Sequence, residues 1–295
     1  MREYPLDFVV VGSFKTGTTW IYQYLQSCQA VCVPDKVKET FFFDCKYLKG
    51  LEFYFAHFPD YHSSQLVGEV APSYFHSEDA SARIHQLNPQ CKIIVTLREP
   101  TERLVSYYLH LLRHGDIPKK TSFRQALATY DILLNSSQYY YHISRWRRLF
   151  GKDNVRILFY ELLKNSPEKF AMQLCQELGI EFRGIPENLN QRVSEGKMPV
   201  NYDLVRVFYQ TIRLLRSYEL HSLVNFGKSL GLQKFLYQDQ KAAHPSITIE
   251  DLNDALTLIS EDIRLLEESL GLDLSIWRES WTRKGLILSI IRDSE

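Results

Sequence analysis

Short, nearly continuous apolar runs recur through the first half of the chain. They are DFVVVG (residues 7–12), LVGEV (66–70), KIIVTL (92–97) and NVRILFY (154–160). Strands that are covered on both faces in a parallel sheet have unbroken apolar runs, whereas half-exposed strands alternate apolar and polar residues. The pattern therefore predicts four buried parallel strands.

Apolar residues at helical spacing separate these runs. Trp20 and Tyr24 lie four residues apart after the first run, and Leu104, Tyr108 and Leu112 repeat that spacing after the third. Strands that alternate with helices are typical of doubly wound α/β domains. We therefore expect an α/β fold, in which helices flank a parallel sheet.

The pattern changes after about Pro199, where amphipathic helices replace the strands. Apolar residues recur at helical spacing in residues 202–223 and again from Leu252 to Leu270, and residues 218–244 are the most loop-like stretch between them. No glycine- or proline-rich linker separates these helices from the strands. We expect one domain over residues 1–295, with an α/β core in 1–200 and a C-terminal helical extension in 201–295.

Charge and cysteine content narrow the class of protein. The chain has 35 basic and 35 acidic residues, so we expect no broad nucleic-acid surface, and any anion site must be local. Five cysteines without a C-x-x-C pair argue against both a disulfide framework and a zinc site. No apolar run approaches the roughly 18 residues of a membrane span. We expect a cytoplasmic protein without a membrane partner.

A glycine loop joins the first predicted strand to the helix after it. Gly12 and Gly17 have the spacing of a phosphate-binding loop, whose N–H groups and helix end attract an anion, and Thr18 and Thr19 add hydroxyl donors. In nucleoside-triphosphate enzymes the lysine follows the second glycine, but here Lys15 precedes it. No strand ends in an aspartate suited to Mg²⁺. The loop therefore suits a 5′-phosphate whose transferable group carries less charge than a γ-phosphoryl group, with Lys15 near the oxygen that joins this group to the phosphate.

A second anion site is predicted after KIIVTL. Arg98 ends this run, and Ser106 lies eight residues further on. Because the carboxyl ends of parallel strands face the ligand crevice, these two residues can bind a second phosphate. Arg98 can alternatively pair with Glu99 or Glu102. Two anion sites without a metal site indicate a nucleoside 3′,5′-bisphosphate.

The two segments SFKTGTTWIYQYL (13–25) and LREPTERLVSYY (97–108) resemble the signature motifs of sulfotransferases that use 3′-phosphoadenosine 5′-phosphosulfate (PAPS). KETFFFD (38–44), GEVAPSYF (68–75) and SQYYYHISRWRRLF (137–150) are similar to the heparan-sulfate type and its bacterial and cyanobacterial relatives. The resemblance covers roughly residues 5–200. It implies a PAPS-dependent enzyme with a P-loop-like fold, which releases adenosine 3′,5′-bisphosphate and needs no metal.

The resemblance also implies roles for the glycine loop. Lys15 would stabilise the bridging oxygen and the transferred sulfuryl group. The residues that would bind the 5′-phosphosulfate are Lys15, Thr16, Gly17, Thr18 and Thr19.

For the 3′-phosphate, the resemblance implies Arg98 and Ser106. The loop RVSEGKMP (192–199) is similar to a later family loop that closes over this phosphate, so Gly196 and Lys197 are further candidates.

Glu39 matches the position of the base that takes the proton from the acceptor. The structural alternative is that Glu39 pairs with Lys36 or Lys38 on a solvated loop and has no catalytic role. Relatives commonly have a histidine where this chain has Phe41, and the heparan enzymes usually have a lysine where it has Val70. If Glu39 is not the base, the next candidates are His76, His110 and His114.

The acceptor is the least determined part of this interpretation. Balanced charge and the missing lysine favour a small molecule or secondary metabolite with a hydroxyl or amine over a long glycan. Two other functions stay open: a kinase-like phosphotransferase on the same loop, and a nucleotide-binding module without catalysis.

Overall fold

A computed structural model describes residues 4–189, 202–218, 220, 223–224 and 245–286 of the chain. Five parallel strands form one sheet in the order β2-β3-β1-β4-β5. The strands are β1 (Phe8–Val10), β2 (Val31–Cys32), β3 (Leu66–Val70), β4 (Lys92–Leu97) and β5 (Val155–Phe159). The four predicted strands are confirmed, and the two-residue strand β2 is an addition that its short apolar run did not indicate.

Helices flank the sheet on both faces, which confirms the predicted fold class. They are α1 (Thr18–Ser27), α2 (Leu51–Phe55), α3 (Glu78–Leu87), α4 (Pro100–His114), α5 (Phe123–Thr129), α6 (Ile132–Asn135), α7 (Tyr139–Phe150), α8 (Tyr160–Asn165), α9 (Pro167–Leu178), α10 (Tyr202–Ser217), α11 (Ile249–Leu270) and α12 (Ser275–Lys284).

The strands are mostly apolar because helices cover both faces of the sheet, although Glu69 in β3 is buried and Arg156 in the edge strand β5 is exposed. Phe8 and Val10 of β1 pack with residues of α1 and α9 on one face. Val9, between them, belongs to the core on the other face, which α3, α4, α7, α11 and α12 complete. Successive side chains of a strand point to opposite faces, so both sets must be hydrophobic.

The two C-terminal helices pack onto this second face. Helix α11 begins with a capping box, in which Thr248 accepts from the N–H of Asp251 and Asp251 accepts from the N–H of Thr248. Asp262, in the same helix, accepts hydrogen bonds from the N–H groups of Tyr140 and Tyr141 in the first turn of α7. The C-terminal helices therefore have apolar and polar contacts with the sheet domain.

The sheet order locates the ligand crevice. The chain runs from β1 to the edge strand β2, returns to β3 beside β1, and then continues with β4 on the other side of β1. Ligands of open α/β sheets bind beyond the carboxyl ends of the strands at such a reversal. The loops after β1 and β4 lie at this point, and they carry Lys15 and Arg98.

Candidate functional site

The glycine loop after β1 is tightly folded. Gly17 precedes α1 with φ 84°, and a Cβ atom there would lie 2.6 Å from Cδ2 of Leu163. Lys15 has φ 72°, a left-handed conformation that is uncommon for a residue with a side chain. No side chain caps the N-terminus of α1. The first N–H groups of this helix are therefore available to an anion.

The threonines of the loop have different environments. Thr16 is fully buried, and its Oγ1 donates to the carbonyl oxygen of Ser13 at 2.6 Å and lies 2.7 Å from Oγ1 of Thr96. The Thr16 side chain therefore ties the loop to β4, and only its main chain is left to face a phosphate. Thr18 is buried at the start of α1, whereas Thr19 is exposed.

Arg98 connects the two predicted anion sites. Its Nη1 donates to the carbonyl oxygen of Lys15 at 3.4 Å, and its guanidinium lies 4.7 Å from the ring centroid of Tyr160. Its Nη2 donates to Oε2 of Glu102 at 3.0 Å. Ser106 lies one further turn along α4, on the side of the helix that carries Glu102. The structure thus brings Lys15 and Arg98 to the same edge of the sheet, whereas Ser106 is placed only by its position in α4.

Two acidic residues at the start of α4 bind the C-terminal helix. Lys284 Nζ lies 2.7 Å from Oε2 of Glu99 and 3.1 Å from Oε1 of Glu102. Trp281 Nε1 donates to Oε1 of Glu99 at 2.7 Å. Although burial opposes it, Lys284 and Arg98 hold the pKa of Glu102 below its usual value. The sequence did not predict these contacts, because about 180 residues separate the partners.

Glu39 lies in a partly closed environment. The N–H of Ser73 donates to its Oε1 at 3.0 Å, and Lys38 Nζ is 3.9 Å from its Oε2. Only 13% of the Glu39 side chain is exposed. Burial raises the pKa of its carboxyl group, and Lys38 and Ser73 oppose part of that rise. The expected pairing with Lys38 is therefore present, but the loop is not solvated there.

Lys15 lies among other cations. Burial lowers the pKa of its ammonium group to about 8, and the positive charges of Arg113, Arg98 and Lys38 contribute to the decrease. Lys38 is also the ion-pair partner of Glu39, so Lys15 and Glu39 share Lys38 as a charged neighbour. The site therefore combines positive charge for an anion with a carboxylate that has a raised pKa.

The three alternative bases have depressed pKa values. Burial is the main cause in each, and it lowers the pKa of His76 to about 4 and that of His110 to about 2. The rings of His110 and His114 lie 3.9 Å apart, and the nearby charge of Lys15 also disfavours protonation of both. The lowered pKa values of His76 and His110 make both weaker bases than an ordinary histidine, which favours Glu39 over these two, and the pKa of His114 is lowered as well.

Gly196 and Lys197 lie outside the described residues. Within the described part of the chain, no group of three or more His, Cys, Asp or Glu side chains is placed to hold a metal ion. None of the helices described is long and apolar enough to cross a membrane.

Comparisons with known proteins identify the family. Residues 5–203 match the family model described as "Sulfotransferase domain". The chain is 30% identical over 192 residues to the bifunctional heparan sulfate N-deacetylase/N-sulfotransferase 4 of Mus musculus, in an alignment that covers 59% of this chain and 22% of that protein. It is 27% identical over 193 residues to the heparan sulfate glucosamine 3-O-sulfotransferase 5 of Mus musculus, which covers 62% of this chain and 54% of the relative.

Several of the curated relatives are much longer than the aligned region, since the chain spans 20–22% of the N-deacetylase/N-sulfotransferases that it matches. Among solved structures, a sulfotransferase from Alicyclobacillus acidocaldarius is similar in fold. Its TM-score is 0.64 at 20% identity, and the alignment covers 92% of this chain and 98% of that one.

Proposed function

Because the chain belongs to the sulfotransferase domain family, we propose that it transfers a sulfuryl group from PAPS to a hydroxyl or amine of an acceptor. The observation that carries this proposal is the contact between the two anion sites, in which Arg98 Nη1 donates to the carbonyl oxygen of Lys15. A bisphosphate nucleotide can engage both residues at once, whereas a nucleotide with only 5′-phosphates engages one of them.

The proposed binding roles follow the positions of these residues. The N–H groups at the start of α1, with Thr18, Thr19 and the main chain of Thr16 and Gly17, bind the 5′-phosphate. Arg98 and Ser106 bind the 3′-phosphate through charge-assisted and neutral hydrogen bonds. Gly196 and Lys197 remain proposed ligands of the same phosphate, on the motif alone.

The proposed reaction is a direct in-line transfer. The acceptor oxygen or nitrogen forms a bond to sulfur while the bond from sulfur to the bridging phosphate oxygen breaks, and adenosine 3′,5′-bisphosphate leaves. Lys15 stabilises the negative charge that grows on the bridging oxygen. Glu39 takes the proton of the acceptor, and its raised pKa makes it a stronger base than an exposed glutamate. No metal has a role in this scheme.

We propose a small molecule or secondary metabolite as the acceptor. Phe14 of the glycine loop stacks on Tyr107 with ring centroids 5.1 Å apart, and Tyr107 in turn lies 6.2 Å from His110. Tyr107 is buried, but Phe14 and His110 are partly exposed, and the depressed pKa of His110 keeps it neutral. These two rings therefore present an uncharged aromatic surface beside Lys15. Such a surface favours a flat apolar group over a chain of sulfated sugars.

Two wider proposals accompany the reaction. We propose that residues 1–295 form one domain. The hydrogen bonds that Trp281 and Lys284 donate to Glu99 support this proposal. We also propose a cytoplasmic location, which is consistent with the five free cysteine thiols.

Calorimetry and a labelling assay test the function. The protein should bind adenosine 3′,5′-bisphosphate more tightly than AMP or ATP, without added Mg²⁺. It should then transfer ³⁵S label from PAPS to at least one member of a panel of phenols, amines and amino sugars. Preference for ATP with Mg²⁺ would instead support a kinase-like enzyme, and bisphosphate binding without any transfer would support a non-catalytic module.

A further inference from the structure

A fully buried carboxyl group lies beneath the turn that carries Glu39. Glu69, in β3, has no exposed surface, and its Oε1 accepts a hydrogen bond from the N–H of Thr40 at 2.7 Å. Thr40 is the residue directly after Glu39. The buried carboxyl is therefore one peptide unit away from the proposed base, although it does not face the reacting atoms.

Tyr74 extends this contact to the rest of the turn. Its hydroxyl donates to Oε2 of Glu69 at 3.1 Å. The hydroxyl oxygen of Tyr74 also accepts from the N–H of Phe42 at 3.0 Å and from the N–H of Phe43 at 3.3 Å. Three amides of the turn, those of Thr40, Phe42 and Phe43, are thus held by the Glu69–Tyr74 pair.

The turn needs such support because its backbone is strained. Phe41 has φ 55°, in the left-handed region that a bulky side chain disfavours. Strained conformations persist where surrounding contacts over-determine them, and they are frequent at functional sites. The Glu39 carboxylate is held by the segment that contains Glu69 and Tyr74, since the N–H of Ser73 donates to Oε1 of Glu39. Backbone and side chain of the proposed base are therefore both oriented by residues 69–74.

We propose that Glu69 is a positioning residue, which acts through Tyr74 to hold the turn of residues 39–43 so that the Glu39 carboxylate faces the acceptor. This inference rests on the proposed sulfuryl transfer. The segment GEVAPSYF (residues 68–75) then supports the turn of the proposed base. This role does not depend on the lysine that the heparan enzymes usually have where this chain has Val70.

Two tyrosines provide a matched test. Tyr54 also donates its hydroxyl to Oε2 of Glu69 at 3.1 Å and is as fully buried as Tyr74, but among the described residues its hydroxyl bonds no atom of the turn. Tyr54→Phe and Tyr74→Phe each delete one buried hydroxyl that is bonded to Glu69. Only Tyr74→Phe also releases the amide of Phe43 and removes one of the two acceptors of the Phe42 amide, which still has Oγ1 of Thr40 at 3.2 Å.

With ³⁵S-labelled PAPS and p-nitrophenol, benzylamine and glucosamine as acceptor probes, Tyr74→Phe should lower kcat by roughly tenfold or more, whereas Tyr54→Phe should stay within about threefold of the parent. Both variants should keep the parental affinity for adenosine 3′,5′-bisphosphate and the parental rate of acceptor-independent PAPS hydrolysis. Equal losses of kcat in the two variants would overturn the proposal, because loosening of the core alone would then explain them.

A double-mutant cycle tests whether Tyr74 acts through Glu39. In a Glu39→Gln background, Tyr74→Phe should lower the remaining kcat by less than about twofold, since residues that act as a unit are not additive. A full tenfold loss in that background would overturn the proposal. Glu69→Gln should retain more activity than Glu69→Ala, because the amide oxygen can still accept from the N–H of Thr40.

Amide hydrogen exchange separates this inference from the proposed function. In Tyr74→Phe the amide of Phe43 should exchange at least about tenfold faster than in Tyr54→Phe, and this measurement needs no acceptor. If the parent protein transfers no label to any probe, the proposed function fails, and exchange still decides whether Tyr74 holds the turn. Equal exchange in the two variants would overturn the positioning role even in an active enzyme.

Discussion

Nη2 of Arg98 lies 3.0 Å from Oε2 of Glu102, so a carboxylate one helical turn away holds the guanidinium that we propose as the ligand of the 3′-phosphate. This pairing was the structural alternative to ligand binding, and the geometry is compatible with both roles. Glu102 has a second close cation in Lys284, 3.1 Å from its other oxygen. Glu102 therefore keeps a partner if a phosphate engages Arg98.

The 3′-phosphate assignment predicts a selective loss in Arg98→Ala. A hydrogen bond to a charged group contributes about 1.5 to 3 kcal/mol, so the affinity for adenosine 3′,5′-bisphosphate should fall roughly tenfold or more. AMP, which has no 3′-phosphate, should bind almost as it does to the parent. Calorimetry with both ligands measures the difference, and an equal loss for the two would show that Arg98 has only a structural role.

Glu102→Gln is the companion variant. It removes the negative charge beside Arg98 but leaves an amide oxygen that can still accept from the guanidinium. Because Glu102 opposes an incoming phosphate, the affinity for the bisphosphate should rise while that for AMP changes little. A tenfold decrease for the bisphosphate would mean that orienting Arg98 matters more than the repulsion does.

The base assignment predicts a separation of binding from chemistry in Glu39→Gln. Loss of general-base catalysis should lower kcat by about 10² to 10⁴, whereas the affinity for the bisphosphate should stay near the parental value. Steady-state rates and calorimetry on the same preparation test this. Turnover at the parental rate would make Glu39 a structural residue and return attention to His76, His110 and His114.

Lys15 should differ from Glu39 in a reaction that needs no acceptor. Lys15→Ala should lower kcat and should also slow the hydrolysis of PAPS by water, because the same phosphate oxygen leaves whichever nucleophile attacks. Glu39→Gln is the control, and its rate of PAPS hydrolysis should be nearly unchanged. If Lys15→Ala hydrolysed PAPS at the parental rate, Lys15 would not stabilise the leaving group.

The two shifted pKa values predict a bell-shaped dependence of kcat/KM on pH. Glu39 must be deprotonated, and its pKa is raised, so activity should fall as the pH decreases through a value above the usual glutamate range. Lys15 must be protonated, so activity should fall as the pH increases through about 8. Glu39→Gln should lack the acidic limb. Lys15→Arg, which stays charged at higher pH, should keep residual activity without the alkaline limb.

Gly12→Ala should damage the start of the loop. A Cβ atom on Gly12 would lie 1.8 Å from Oγ1 of Thr96, the atom that also contacts Thr16. Overpacking typically costs about 1 to 3 kcal/mol, so we expect a lower denaturant midpoint together with weaker bisphosphate binding. Gly68→Ala, where the new Cβ would clash with Phe8, is the control. It should lose stability while the folded protein keeps its affinity.

The sheet was predictable because each strand contains its own signal. The runs that include Val9, Val67, Ile94 and Leu158 are apolar on both faces, and burial on both faces requires that composition. Strand β2 was not predicted because a run of two residues, Val31 and Cys32, is too short to show any periodicity. Four of the five strands could therefore be read directly from the chain.

The candidate site was predictable only in part. Glycine spacing and strand-end position pointed to Lys15 and Arg98, but the direction of each side chain was open. Tertiary packing turns the Thr16 hydroxyl inward to Thr96, so the sequence suggested a ligand where the structure has a tether. The contact of Lys284 with Glu102 joins residues that are far apart in the chain, and no local pattern records such a pair.

The sequence by itself determined the α/β class, the glycine loop and the types of residue that the proposed chemistry needs, because strand hydrophobicity, glycine geometry and charge are local properties. Tertiary structure alone decided the protonation behaviour of the site. Burial and neighbouring cations lower the pKa of Lys15, whereas burial raises that of Glu39 against the opposing effect of Lys38. The support of the Glu39 turn by Glu69 and Tyr74 also depends on packing between distant segments. Desolvation and hydrogen bonding act through space, so only the folded chain sets them.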